Sequence, residues 1–126
     1  MELEKLSTAP SHEAGAECRI KANGEETDVF ITIQGQDSKA YRKAKKRQMR
    51  EFIEARKNEI DIDDLDTDRM DVELLADCTL GWRGITVNGE EYEFSRDNAV
   101  KLYTDAPEVA RQLLQFIEDR AVFTNG

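Results

Sequence analysis

Thr27-Asp28-Val29-Phe30-Ile31-Thr32-Ile33-Gln34 runs straight into Gly35-Gln36-Asp37-Ser38-Lys39-Ala40-Tyr41, and this junction decides the fold class. In its first half β-branched and aromatic residues alternate, with Val29, Ile31 and Ile33 on one face and Phe30 and Thr32 on the other. A period of two belongs to a pleated strand that buries one face. After Gly35 the period becomes helical. Tyr41, Ala44, Gln48, Phe52 and Ala55 recur at helical spacing, with Met49 and Ile53 beside them, and the pattern persists to about Asn58. Gly35 ends the strand, and Asp37 or Ser38 is placed to cap the helix by accepting from free N–H groups of its first turn. Strand and helix therefore share one unit, and the class is α+β.

Working outward, Cys18-Arg19-Ile20-Lys21 alternates and Asn23-Gly24 is a strong turn signal, which predicts an antiparallel hairpin with the strand just described. Upstream, Pro10, Ser11 and Gly15 interrupt any helix, so residues 1–15 read as a flexible leader. Downstream, the acidic connection 59–66 leads to a helix capped by Asp66 or Thr67 and running to about Leu80, with Met70, Leu74, Leu75 and Cys78 as its buried stripe. Gly81 suits the left-handed position past that helix end. Ile85-Thr86-Val87, Asn88-Gly89 and Glu90 to Phe94 read as a second short hairpin. Ser95 or Asp97 caps a short helix to Tyr103, and Pro107 opens a last one. Val109, Ala110, Leu113, Leu114, Phe116, Ile117 and Ala121 give that last helix the broadest apolar face. Val122 to Gly126 reads as an exposed end. The expected architecture is mainly helical, with about four helices and one or two short antiparallel β-hairpins. It forms a single globular domain over residues 16–123 with a tail at 124–126.

The chain has 126 residues, of which 39% are apolar and 36% charged, with a formal net charge of −9. That length suits one core, and the charge fraction predicts a thin core beneath a heavily charged surface. Acidity opposes non-specific binding to nucleic acid or anionic membrane. There is no apolar run long enough for a transmembrane helix and no basic-then-apolar signal peptide, so a cytosolic location is expected. Cys18 and Cys78 follow no ligand spacing and read as reduced and buried.

The residues of catalysis are sparse. His12 is the only histidine and falls in the predicted leader, which leaves no His-dependent base or triad. There is no nucleophile elbow, phosphate-binding glycine loop or dinucleotide fingerprint. The dense carboxylates Asp61, Asp63, Asp64, Asp66 and Asp68 fit no calcium loop: a register starting at Asp64 puts Arg69 where glycine is needed and Leu75 where glutamate is needed. No catalytic residue, metal ligand or cofactor is expected.

Charge is distributed unevenly. The helix Lys39–Lys57 carries nine basic residues, whereas residues 58–126 hold 6 basic and 17 acidic ones. A basic helix can neutralise phosphates, but the simpler reading is bipolarity, with the helix pairing to acidic segments of its own chain or of a neighbouring copy. Bipolar surfaces favour head-to-tail contacts. Trp82, between Gly81 and Arg83, is either a core anchor over the end of the second helix or a partner-facing hot spot.

The layout resembles the tail assembly chaperones of long-tailed phages and prophages over about residues 27–123. The resemblance lies in the β-rich opening that ends in Gly35-Gln36-Asp37-Ser38 and in the basic helix beginning Ala40-Tyr41. It continues through Leu74-Leu75-Ala76-Asp77-Cys78-Thr79-Leu80-Gly81-Trp82-Arg83-Gly84-Ile85 and Tyr92 to Tyr103. Pro107 to Leu113 and Phe116 to Arg120 complete it. It implies a non-catalytic protein of the host cytoplasm, absent from the finished virion. Such a protein would bind the apolar, helical tape measure protein, help recruit tail tube protein, and self-associate in some cases, as a ring or other oligomer. The expected partner surfaces are Tyr41, Lys45, Arg47 and Phe52 along the basic helix, and Trp82, Arg83, Leu114 and Phe116 on the aromatic and apolar side. The competing expectations are another small tail structural protein, such as a completion or connector subunit, and a nucleic-acid-associated accessory protein acting through residues 39–57.

Overall fold

The computed structural model describes residues 1–124. The β-branched run and its alternating predecessor pair as expected. Strands β1 (Ala16–Ala22) and β2 (Glu25–Ile33) form an antiparallel hairpin with Cys18 opposite Ile31 and Arg19 opposite Phe30. The turn between them places Asn23 at φ 55° and Gly24 at φ 81°. Two positive values in succession match the right-handed twist of the flanking strands, which is why Asn-Gly is favoured there. A third strand, β3 (Thr79–Arg83), extends the sheet in the order β1-β2-β3, with Ile31 opposite Trp82 and Phe30 opposite Arg83.

Helix α3 (Lys39–Lys57) follows, and Ser38 is its cap: the Tyr41 amide donates to Ser38 Oγ at 3.2 Å. A single 3-10 turn (Ile62–Asp64) leads to α4 (Thr67–Cys78), where Asp66 accepts from the Arg69 amide at 3.0 Å. The small hairpin β4 (Thr86–Val87) and β5 (Glu90–Glu91) precedes α5 (Arg96–Asp105), capped by Ser95, and α6 (Pro107–Glu118). The fold is thus α+β, with four long helices and small antiparallel sheets. The inward face of the hairpin, Cys18, Ile20, Ile31 and Ile33, meets Leu74 and Leu75 of α4, Tyr103 of α5, and Leu113 and Ile117 of α6 in one core.

Four expectations change. The stretch 1–15 is not a frayed leader throughout. After a short turn of helix, α1 (Leu3–Leu6), the segment α2 (Ala9–Ala14) is helical with Pro10 in its first turn, where its missing N–H costs nothing. His12 on α2 is fully buried. The chain end is likewise not simply exposed: α7 (Ala121–Thr124) buries Phe123, whose ring stacks on His12 at 5.0 Å and meets Phe116 edge-on at 5.6 Å. The expected tail 124–126 includes Thr124, the last residue of α7, and two residues outside the described ones. Gly81 is a strand residue opposite Thr32, and Gly84, at φ 91°, takes the left-handed conformation instead. Finally, Met49 and Ile53 are exposed rather than part of the α3 stripe. They lie opposite Ala44, Gln48 and Ala55, the residues α3 buries.

Candidate functional site

Of the hollows that open among the described residues, the one between α4, α5 and α6 is the most distinctive. Helix α4 turns Met70, Leu74, Leu75 and Cys78 into the core. Val72 is buried in the same core and also reaches the base of a groove against α5 and α6. With Val100 and Tyr103 of α5 and Pro107, Ala110 and Leu114 of α6 it makes an apolar floor. The cavity measures about 590 Å³. Its α4 rim carries Asp66, Asp68, Asp71 and Glu73, with Arg69 and Arg111 as the basic members. Arg69 is committed within the fold, to Glu73 at 2.7 Å and Glu51 at 2.9 Å, and Arg111 pairs with Glu108.

Electrostatics set the character of this groove. Burial pushes the Asp71 carboxyl above its ordinary value, Lys45 opposes the shift, and the neighbouring Asp68 adds to it. Among the described residues neither Asp68 nor Asp71 has an ion-pair partner. Tyr103 sits at the base. Its hydroxyl lies 2.7 Å from Thr79 Oγ1, which itself donates to the Leu75 carbonyl at 2.7 Å. Burial pushes this phenol up to about 12, so it stays neutral. The floor is therefore uncharged, and the rim is negative.

The second hollow, about 670 Å³, lies between the β1 end and α6 and is rimmed by Lys21, Glu108, Gln112 and Asp119, with Phe116 at its side. The third, about 280 Å³, lies on the sheet beside Phe30, Leu80, Trp82 and Arg83.

The eight residues expected to meet partners are thus dispersed. Leu114 lines the acidic-rimmed groove, but Phe116, two residues on, belongs to the second hollow and packs against Phe123. Trp82 stacks on Tyr92 at 5.8 Å, meets Phe94 edge-on at 5.1 Å, and donates from Nε1 to the Tyr92 carbonyl at 2.7 Å. Arg83 lies 4.0 Å over the Phe30 ring and pairs with Glu17 at 3.2 Å. Along α3, Tyr41 and Phe52 are half-buried and Lys45 sits 5.6 Å over the Tyr41 ring. Arg47 turns to α4, with Asp77 at 2.9 Å and Glu73 at 3.8 Å. The basic helix does pair with acidic residues of its own chain at this point. Val72, Val100 and Tyr103 were not singled out from sequence. The signal was there in part: Val72 and Val100 are apolar positions off the main stripe of their helices.

Among the described residues no group of three or more histidine, cysteine or acidic side chains is arranged to hold a metal ion. None of their helices is long and apolar enough to cross a membrane.

The model of one protein family, described as YdaY prophage protein, matches residues 36–125, from just before α3 onward. No curated protein and no solved structure matches. The match spans well over half of the chain, and the chain belongs to the YdaY prophage protein family.

Proposed function

We propose that this prophage protein is a non-catalytic tail assembly chaperone that holds an amphipathic helical segment of the tape measure protein in the groove between α4, α5 and α6. The observation that carries the reading is the groove itself: an apolar floor from Val72 to Leu114 beneath an acidic rim. Helix-in-groove recognition uses such a floor for the apolar positions of the incoming helix, and the rim selects its flanking charges. A long helical protein waiting for a tube to form around it exposes apolar surface and aggregates, and covering that surface keeps it soluble. The remainder of the molecule supports the role, since a net charge of −9 favours solubility of the complex.

Co-expression with the tape measure protein of the same prophage tests this. The wild-type chain is expected to raise the soluble yield of that protein and to co-purify with it. Leu114→Glu, a change on a half-buried groove residue, is expected to abolish both effects while the isolated variant keeps a wild-type circular dichroism spectrum. Equal retention by Leu114→Glu would place any binding elsewhere, and no retention by the wild type would remove the chaperone reading.

A further inference from the structure

Helix α3 presents a face that none of the described residues covers. Counting 100° per residue, Lys46, Met49, Arg50, Ile53 and Lys57 fall within one sector, directly opposite the buried Ala44, Gln48 and Ala55. Met49 is 59% and Ile53 47% exposed. No acidic residue falls in that sector: Glu54 lies just beyond its edge, and Glu51 is on the side that faces α4, where it pairs with Arg69. Among the described residues Lys46, Arg50 and Lys57 have no ion-pair partner. The face is therefore an apolar pair framed by cations. The groove between α4, α5 and α6 is its inverse, an apolar floor framed by Asp66, Asp68 and Asp71. Helix α3 packs on α4 through its opposite side, so Met49 and Ile53 point away from α4, and only Lys45, on the flank of α3, acts on the groove carboxylate Asp71 of its own chain.

We propose that the exposed face of α3 docks into the groove between α4, α5 and α6 of a second copy of this chain. Met49 and Ile53 would then meet the half-buried Val100 and Leu114, while Lys46 and Arg50 face Asp68 and Asp71. The contact is heterologous, since the patch on one copy differs from the patch on the next. Repetition closes into a ring or runs on as a filament. It uses the same groove as the client helix, so copies and client exclude one another there. The proposal does not rest on the identity of the client, and its test contains none.

The experiment is sedimentation velocity of the purified full chain over a concentration series, at low salt and at about 1 M salt, where the screening length falls to ~3 Å. Concentration-dependent association that weakens in high salt is expected. Lys46→Glu with Arg50→Glu, and separately Asp68→Lys with Asp71→Lys, are each expected to weaken it at least about tenfold. The decisive arm mixes the two variants. Each offers the other one intact wild-type pairing and one doubly reversed pairing, so the mixture regains association that neither shows alone. Circular dichroism melts identify any variant that fails to fold, and Met49→Ser with Ile53→Ser then serves as the substitute on the α3 side. A wild-type chain that stays monomeric throughout overturns the proposal. So does a mixture that gains nothing, or an α3 face that binds duplex DNA and leaves the chain unassociated.

Discussion

At the scale of single residues, the junction that decides the fold is also where α2 and the segment around α7 are fastened. Gly35 donates its amide to the His12 carbonyl at 3.0 Å, and a Cβ on Gly35 would fall 2.2 Å from His12 Nδ1. Its role is one of space. Gly35→Ala is expected to cost about 1–3 kcal/mol through overpacking, a fall in Tm of roughly 5–10 °C. In a His12→Ala background the same change should cost much less, because the obstructing ring is gone, and a double-mutant cycle of melts reads the difference. His12 Nδ1 accepts from the Asp37 amide at 3.0 Å, and Asp37 in turn accepts from Thr8 and, at 2.7 Å, from Arg120. Burial lowers the His12 pKa from its ordinary 6.5, with Asp37 opposing and Arg120 assisting. The unfolded chain therefore takes up this proton first as the pH falls. The contribution is fully present above about pH 6.5 and is lost as the pH falls below it toward the lowered folded value. Asp37 is lowered from 3.8, by the Thr8 hydrogen bond first, so its own contribution disappears only below about pH 4. Urea melts at pH 7 and pH 5 should show the wild type losing stability, with the loss reduced in His12→Ala. None of this cluster was legible in the sequence. A lone histidine after Pro10 carries no local signal of burial, and its partners Asp37 and Phe123 lie far along the chain.

At the scale of elements, the period of each segment was readable wherever it was long. The hairpin, α3 and α6 follow from alternation or helical recurrence, and Ser38, Asp66 and Ser95 take the caps that their side chains suit. The third strand was not readable, because Thr79–Arg83 is five residues with a glycine in the middle, and its pattern continues that of α4. Its place is set by pairing with β2, a long-range fact. The opposite edge of the sheet has its own device. Gln112 on α6 donates to the Lys21 carbonyl at 2.9 Å and accepts from the Lys21 amide at 2.8 Å, standing in for a further strand residue on β1. Gln112→Ala is expected to cost about 1 kcal/mol for these partly exposed bonds. It should also speed hydrogen exchange at the Lys21 amide specifically, while the β2 amides are unchanged. The β3 end reports through Trp82, the single tryptophan of the chain. Tyr92→Ala removes the ring stacked on it but leaves the carbonyl that its Nε1–H contacts. A red shift of the fluorescence at low denaturant, before the global transition, is the expected result.

At the scale of the whole molecule, bipolarity was visible in the sequence, but its three-dimensional expression was not. Counting charges gives a basic α3 and an acidic remainder. The structure divides α3 itself, sending Arg47 to Asp77 inside the fold and leaving Lys46, Arg50 and Lys57 on the far side with Met49 and Ile53. The groove was beyond sequence reasoning for a similar reason, since its floor gathers Val72, Val100 and Leu114 from three helices, and no one periodicity contains them. Because the groove and the α3 face are electrostatically opposite, reversing the groove charges with Asp68→Lys and Asp71→Lys should also weaken a cationic amphipathic client, measurable by fluorescence anisotropy of a labelled tape measure peptide. The most direct test of the central claim is site-specific photo-crosslinking in an induced lysogen, with a benzophenone amino acid at Leu114 and, as the control, at exposed Thr86. The account predicts that the position 114 probe captures a helical segment of the tape measure protein before tails form, and that the position 86 probe does not. Equal capture from both positions, or none from position 114 while the protein is folded and expressed, would contradict it.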